Sequence, residues 1–182
     1  MRRMLCMHSR IDISKVNDGK ITPKEWPALV GSAGKLSEAP IHIIDKNSLR
    51  NITELDAEIE RLKTECHIEL LIIDDIEQLI SATQGDGMLV YHHLFKLTEK
   101  FDIPIMIVTQ LKTILAQAKS YLSLPELKEA ESVADLVIVM GQNKSVEQDK
   151  SIVEIKIVKN RIGPVGKFDL RLVSERFRFE EI

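Results

Sequence analysis

Three short, continuous apolar runs stand out along the chain and predict strands buried on both faces of a mostly parallel sheet. They are Glu69 to Asp74, Ile103 to Val108 and Leu136 to Met140. Apolar runs without alternation are typical of parallel strands, because helices cover both faces of such a sheet. A shorter strand is predicted at Ile41 to Asp45.

Apolar residues at helical spacing fill the segments between these strands. Thr22-Pro23-Lys24-Glu25 predicts a helix start, with a threonine cap, a proline at the first helical position and a glutamate three residues after the cap. A second helix is predicted to open at Thr53, with an inner face formed by Leu55, Ile59 and Leu62. A third follows the break at Gly85-Asp86-Gly87, with an inner face formed by Leu89, Leu94 and Leu97.

The pattern changes after Gly141, where polar and apolar residues begin to alternate. The alternating segments are Ile152 to Val158, Phe168 to Leu172 and Phe177 to Phe179. Alternation with a period of two predicts a terminal antiparallel meander. Strands that alternate with helices, followed by such a meander, predict one α/β domain over residues 1–182, with helices flanking the sheet.

Composition narrows the class of protein without identifying it. The chain has 182 residues, of which 44% are apolar and 29% charged, and a net charge of −3 that argues against a generic polyanion binder. Cys6 and Cys66 are far apart and form no C-x-x-C pair, which favours a reducing compartment. No segment approaches the about 20 apolar residues of a membrane helix. We therefore expect a cytoplasmic protein that makes no contact with membranes.

Acidic residues end the first of the three apolar runs. Asp74 and Asp75 follow it directly, and ligands of open α/β sheets gather at the carboxyl ends of the strands. A carboxylate in this position can orient hydrated Mg²⁺ beside phosphate groups. The alternative is structural, since aspartate is also favoured in the turn after a buried strand.

Two further polar groups lie where a nucleotide site would need them. Thr109-Gln110 ends the second apolar run, where a glutamine can hydrogen-bond a γ-phosphate or water. The alternative is an ordinary strand terminus whose side chains satisfy its own backbone groups.

Lys159 and Arg161 are two residues apart and are predicted to point the same way on a strand beside the turn Gly163-Pro164. Two cations held on a rigid hairpin are suited to binding a phosphate. They could instead be solvated charges that protect an edge strand.

Five segments in a fixed order carry a resemblance to a known family. They are Met1 to Cys6 with Arg10 to Asp12, Asp45 to Asp74, Phe101 to Leu111, Ala134 to Val137, and Lys159 to Gly166. The last is the most specific, because it is close to the family element K-Q-R-N-G-P-x-G. By these segments the chain resembles, nearly end to end, the C-terminal RecA-like motor domain of the DnaB family of replicative DNA helicases.

The resemblance implies a domain whose family role is ATP-dependent 5′-to-3′ unwinding of DNA in replication. It implies that Asp74 is the Walker B acid, which holds Mg²⁺ through water, and that Gln110 is the sensor, with Asp75 and Thr109 beside them at the nucleotide. Lys159 and Arg161 would act on ATP bound to the next subunit of a homo-hexameric ring, Arg161 as an arginine finger. Single-stranded DNA and other replication proteins are the further partners that it implies.

The chain also departs from the family pattern. No G-x-x-x-x-G-K-[ST] phosphate loop occurs in it. The resemblance begins downstream of that loop and of the strand that carries the family's catalytic glutamate, so both are missing. Lys112-Thr113 stands where the family has an Asn-Arg pair, and the following loop, which faces DNA in the family, carries one lysine, Lys119. Lys112 and Lys119 are therefore the DNA-binding candidates. Because electrostatic binding of the DNA backbone needs several cations, these two lysines predict weak DNA binding.

Without the phosphate loop, we expect the isolated chain to bind neither ATP nor Mg²⁺ and to hydrolyse no ATP. One hypothesis is a catalytically incomplete DnaB-like motor domain. The alternative is a non-catalytic interaction module that docks onto a complete helicase subunit through the Lys159/Arg161 hairpin. An enzyme of another RecA-like branch would need the same phosphate loop.

The strand that precedes the phosphate loop is also missing, and the family places it between Ile103–Val108 and Leu136–Met140. We therefore expect either that the sheet closes up or that another copy of the chain supplies a strand.

Overall fold

The computed structural model describes residues 1–44, 51–110, 125–142 and 151–182. Its contacts divide the chain into two compact units. The first comprises Met1–His42, Ile138–Ile157 and Val165–Ile182, and the second comprises Ile43–Val137 and Val158–Pro164. Each unit therefore combines segments that are distant in the sequence.

The first unit opens with three helices, α1 (Arg2–Ser9), α2 (Ile13–Asn17) and α3 (Trp26–Glu38). The predicted helix start, with Thr22 as the cap, is three residues early, because residues 23–25 form a turn and α3 begins at Trp26 after the cap residue Glu25. The Glu25 carboxylate still accepts hydrogen bonds from Thr22, at 3.0 Å from the backbone N–H and 2.7 Å from the hydroxyl. With an ion pair to Lys15, these bonds lower the pKa of Glu25 to about 2.

Helices and short strands alternate in the second unit, as predicted. Its elements are α4 (Ile52–Cys66), β1 (Leu71–Asp74), α5 (Glu77–Ala82), α6 (Gly87–Phe101), β2 (Ile105–Val108) and α7 (Pro125–Val133). The side chains of Asn51 and Asp86 cap α4 and α6 by accepting from backbone N–H groups, each at 2.9 Å. Both helices therefore begin within two residues of their predicted starts.

A single apolar cluster forms the core of the second unit. Its buried members are Leu55, Ile59, Ile76, Leu79, Val90, Tyr91, Leu94, Leu97 and Ile103. The predicted inner face of α4 is confirmed, since Leu55, Ile59 and Leu62 are buried. On α6 the prediction was wrong for Leu89, which is exposed, because Val90, Leu94 and Leu97 define the buried side of that helix.

β1 and β2 pair in parallel, with Ile72 opposite Met106 and Asp74 opposite Val108. Leu71, Ile73, Ile105 and Ile107 pack against the core. The opposite face is open, with Ile72 56% and Met106 54% exposed. The prediction that these strands are buried on both faces was therefore wrong, because helices cover only one side of this two-stranded sheet in the described part of the chain.

The predicted meander is confirmed in a second, four-stranded sheet. Its order is β3 (Leu136–Gln142), β4 (Ile152–Asn160), β5 (Gly166–Val173) and β6 (Arg178–Glu181). β4 pairs with β5, and β5 with β6, in antiparallel register. On β3, Val137 and Val139 are buried, whereas Leu136, Ile138 and Met140 are exposed, so this strand too is apolar on both faces but covered on one.

Strands β2 and β3 belong to different sheets, so within the described residues the sheet does not close by pairing them. The predicted strand at Ile41 to Asp45 is wrong for residues 41–44, which have neither helix nor strand, and Asp45 lies outside the described residues. None of the helices in the described ranges combines the length and the apolar character of a membrane-spanning segment. The α/β class is confirmed, with its parallel part formed by β1 and β2.

Candidate functional site

The carboxyl ends of β1 and β2 bring together the first two candidate motifs. Asp74 is the last residue of β1 and lies in register with Val108, the last residue of β2. The Ile76 N–H donates to the Val108 carbonyl at 3.3 Å, so the chain after β1 stays attached to the end of β2. Asp74 and Asp75 are exposed. An aspartate pair thus lies next to the segment that carries Thr109 and Gln110, as the sequence predicted.

Glu77, which the sequence analysis did not single out, connects these two strand ends. Its Oε1 accepts a hydrogen bond from the Thr109 hydroxyl at 2.6 Å and another from the Gln110 N–H at 3.2 Å. Its Oε2 is buried, without a hydrogen-bond partner among the described residues. The sequence offered one signal for this residue, namely a third acidic side chain only two residues after Asp75.

The electrostatics of Glu77 favour its ionised form. Burial raises the pKa of its carboxyl, but several hydrogen bonds outweigh burial and hold the pKa below its usual value. They come from the Thr109 hydroxyl and from the backbone N–H groups of Glu77 and Gln110. A carboxylate that accepts several such bonds is stabilised in its charged state. Glu77 therefore presents a fixed negative charge behind the Thr109–Gln110 segment.

Both candidate cations make contacts within the second unit, Lys159 from the end of β4 and Arg161 from the turn that follows it. Lys159 Nζ donates to the Glu131 carbonyl near the end of α7. The Arg161 guanidinium forms an ion pair with Asp135 at 2.6 Å, and its backbone N–H donates to the Asp135 carbonyl at 2.9 Å. Arg161 thus points to the segment before β3, and any role at a phosphate requires it to exchange this partner.

Asn160 shapes the turn beyond these cations. Its side chain accepts from the Ile162 N–H and donates to the Pro164 carbonyl, both at 3.2 Å. A Cβ at Gly163 would lie 2.9 Å from Asn160 Nδ2, so glycine allows this close approach. The turn is consequently well defined, and it leaves Ile162 99% exposed at its tip.

The described side chains match an Mg-nucleotide only in part. Asp74 has the right chemistry to orient a hydrated cation, but no group of three or more His, Cys, Asp or Glu suited to a metal ion occurs within residues 1–44, 51–110, 125–142 and 151–182. The phosphate-binding loop is also absent from the sequence. Lys112 and Lys119 lie outside the described residues. This donor set does not fit a resident Mg-nucleotide, so we derive no chemical step through one.

An acidic pair and a polar segment at the ends of adjacent parallel strands are typical of the ligand sites of open α/β domains, the class to which this fold belongs. The family model of the DnaB-like helicase C terminal domain matches residues 1–181. The chain therefore belongs to the DnaB-like helicase C-terminal domain family.

Replicative helicases of two bacteria are similar to the chain. The chain is 30% identical to the replicative DNA helicase DnaB of Geobacillus stearothermophilus and 28% identical to the replicative DNA helicase DnaC of Bacillus subtilis, over 97% of its own length. It spans 42% of the length of each relative. Because less than half of each relative is represented, the activity of the whole helicases does not transfer directly to this chain.

Solved structures support the fold. The ATPase domain of G40P superimposes with a TM-score of 0.82 at 21% identity, covering 99% of this chain and 69% of that domain. A DnaB-like replicative helicase, solved in a study of its interactions with primase, also gives 0.82 at 21% identity, covering 47% of that chain. The RecA-like α/β prediction is thereby confirmed.

Proposed function

We propose that this chain carries the Walker B, sensor and arginine-finger portion of a DnaB-type helicase ATPase, and that these 182 residues alone do not hydrolyse ATP. The family role is ATP-dependent 5′-to-3′ unwinding of DNA in replication, performed by a homo-hexamer on single-stranded DNA. In this proposal Asp74 orients hydrated Mg²⁺ when a nucleotide is present, with Asp75 beside it. Thr109 and Gln110 contact the phosphate end, and Lys159 and Arg161 act on a neighbouring subunit.

The observation that carries the proposal is the register of β1 and β2. Asp74 and Val108 are paired, so Asp74 and the Thr109–Gln110 segment leave the sheet side by side. Ligands of such sheets bind at the carboxyl ends of parallel strands. In a site completed by a phosphate loop, the residues at this edge would supply the carboxylate and the polar side chains beside a magnesium-bound phosphate chain.

The first test is a calorimetric titration of Mg-ATP into the purified chain, with its mass in solution measured alongside. We expect no saturable binding, because backbone donors, a lysine and a hydroxyl of the phosphate loop are all missing. Joining the upstream ATPase segment of a DnaB-type relative to the chain should then produce ATPase activity. Micromolar binding by the isolated chain would contradict the incomplete-site proposal, whereas an inactive but folded chimaera would contradict the Walker B assignment.

A second candidate function is a module that docks onto a complete helicase subunit through the hairpin. The observation that favours it is Ile162, which is 99% exposed at the tip of a turn fixed by Asn160. An apolar side chain presented on a rigid turn next to a cation is suited to insertion into a partner. Docking would also bring Arg161, whose ion pair with Asp135 is solvent-exposed, to the subunit surface.

Co-purification with a complete DnaB-type helicase separates the two functions. A docking module should be retained by the helicase, and Ile162→Asp should release it, because an apolar contact becomes a buried charge. The matched control is Val30→Asp, a substitution at another exposed apolar position, on α3. Equal retention of both variants, or no retention of the unmodified chain, would exclude docking through the hairpin.

A further inference from the structure

Glu77 is placed differently from an ordinary residue of a first helical turn. It begins α5, where a carboxylate interacts favourably with the free N–H groups of the helix. Its Oε1 nevertheless accepts from residues more than 30 positions further along the chain, Thr109 and Gln110. The Glu77 side chain therefore connects the start of α5 to the segment after β2, in addition to any role within its own helix.

The two hydrogen bonds constrain the segment that follows β2. The Thr109 hydroxyl and the Gln110 N–H both converge on one oxygen atom, at 2.6 Å and 3.2 Å. One bond from a side chain and one from the next backbone N–H fix both the position and the rotation of this segment. Hydrogen bonds to an ionised acceptor are shorter and stronger than those between neutral groups.

The same carboxylate is connected to the end of β1. Glu77 follows Asp74 by three residues, and the Ile76 N–H between them donates to the Val108 carbonyl. Ile76 itself is completely buried in the core. The backbone next to Glu77 is consequently anchored at Ile76, and the Glu77 side chain holds Thr109 and Gln110 in a fixed position relative to it.

We infer that Glu77 is a positioning residue that holds the Thr109–Gln110 segment against the end of β1 and so sets the direction in which the Gln110 side chain leaves the sheet. The hydrogen bonds from Thr109 and Gln110 to Glu77 support this placement of the segment without reference to a nucleotide. The consequence for phosphate sensing rests on the proposed function, in which Gln110 contacts the phosphate end. Glu77 would then join the Walker B and sensor elements without touching the nucleotide.

Amide hydrogen exchange and nitrogen–proton correlation spectra of the complete 182-residue chain test the placement without any nucleotide. In Glu77→Ala, the Gln110 amide should exchange about tenfold faster or more, and its proton resonance should move upfield, because a bond to a charged acceptor is lost. Glu77→Gln retains an acceptor oxygen of the same reach and should restore most of the protection. Glu77→Asp keeps the charge but is shorter, so it should behave like the alanine variant.

Gln78→Ala is the matched control, since Gln78 is exposed on the same helix and should leave the Gln110 amide unchanged. Thr109→Val provides a second approach if Glu77→Ala does not fold. It removes one of the two hydrogen bonds that hold the segment, so the Gln110 amide should exchange faster in this variant. Unchanged exchange and an unchanged Gln110 resonance in folded Glu77→Ala would overturn the inference. A failure of the ATPase chimaera would not affect these spectra, so the two proposals can fail separately.

Discussion

Replacing Ile76 with alanine is expected to lower the free energy of unfolding by about 2–5 kcal/mol. Ile76 is completely buried and belongs to the core cluster of the second unit. The substitution removes three methyl or methylene carbons from a packed site and leaves a cavity, while the backbone bond from Ile76 to Val108 can persist. Urea denaturation followed by far-ultraviolet circular dichroism measures the change.

Ile72→Ala is the matched control for this prediction. The same side chain is removed four residues earlier, but Ile72 is 56% exposed on the open face of β1. A substitution at such a surface position should change the free energy of unfolding by no more than about 0.5 kcal/mol. An equal loss in both variants would show that the outer face of the sheet is covered in solution, in conflict with the structure of the single chain.

Replacing Arg161 with alanine is expected to lower the ATPase rate of the active chimaera by about 10³-fold, the lower end of the effect of an arginine finger. In the isolated chain, Arg161 is paired with Asp135 at 2.6 Å, so the guanidinium is ordered near the hairpin before any partner is met. A second subunit's phosphates offer a stronger, doubly charged partner for the same planar group. Steady-state phosphate release under saturating Mg-ATP measures the effect.

Mixing variants shows whether Arg161 acts in its own subunit or in the next. Chimaeras with Asp74→Asn and with Arg161→Ala should each be inactive alone and partly active when assembled together, because some interfaces then combine an intact Asp74 with an intact Arg161. Arg178→Ala, at an arginine of β6 paired with Glu180, is the control and should retain activity. Activity of Arg161→Ala close to that of the unmodified chimaera would contradict the finger assignment.

The sequence was sufficient to predict the elements with strong periodicity. The meander from Ile152 to Phe179 was found because alternation is a property of neighbouring residues. The inner face of α4 was predicted from Leu55, Ile59 and Leu62, because helical spacing is likewise a property of residues that are close in the sequence. The order of motifs also indicated the family, which the match to residues 1–181 confirms.

Features that depend on contacts between distant segments could not be predicted in this way. A run such as Leu70 to Ile73 looks identical whether one or both faces are covered, since coverage is decided by other parts of the chain. Glu77 resembles any glutamate at the start of a helix until β2 is placed beside β1. The partners of Lys159 and Arg161 likewise come from α7 and the segment before β3. The roles of Asp74, Gln110 and Arg161 at a nucleotide stay predictions.

The open face of β1 and β2 has a practical consequence for the behaviour of the protein in solution. Its exposed members are Leu70, Ile72, Met106 and Val108. Among the described strands, β1 and β2 also pair with each other only, so no described strand covers their outer edges. Exposed apolar patches and open strand edges are the features from which aggregation starts. We therefore expect the solubility limit of the isolated chain to respond to these four side chains far more than to its net charge.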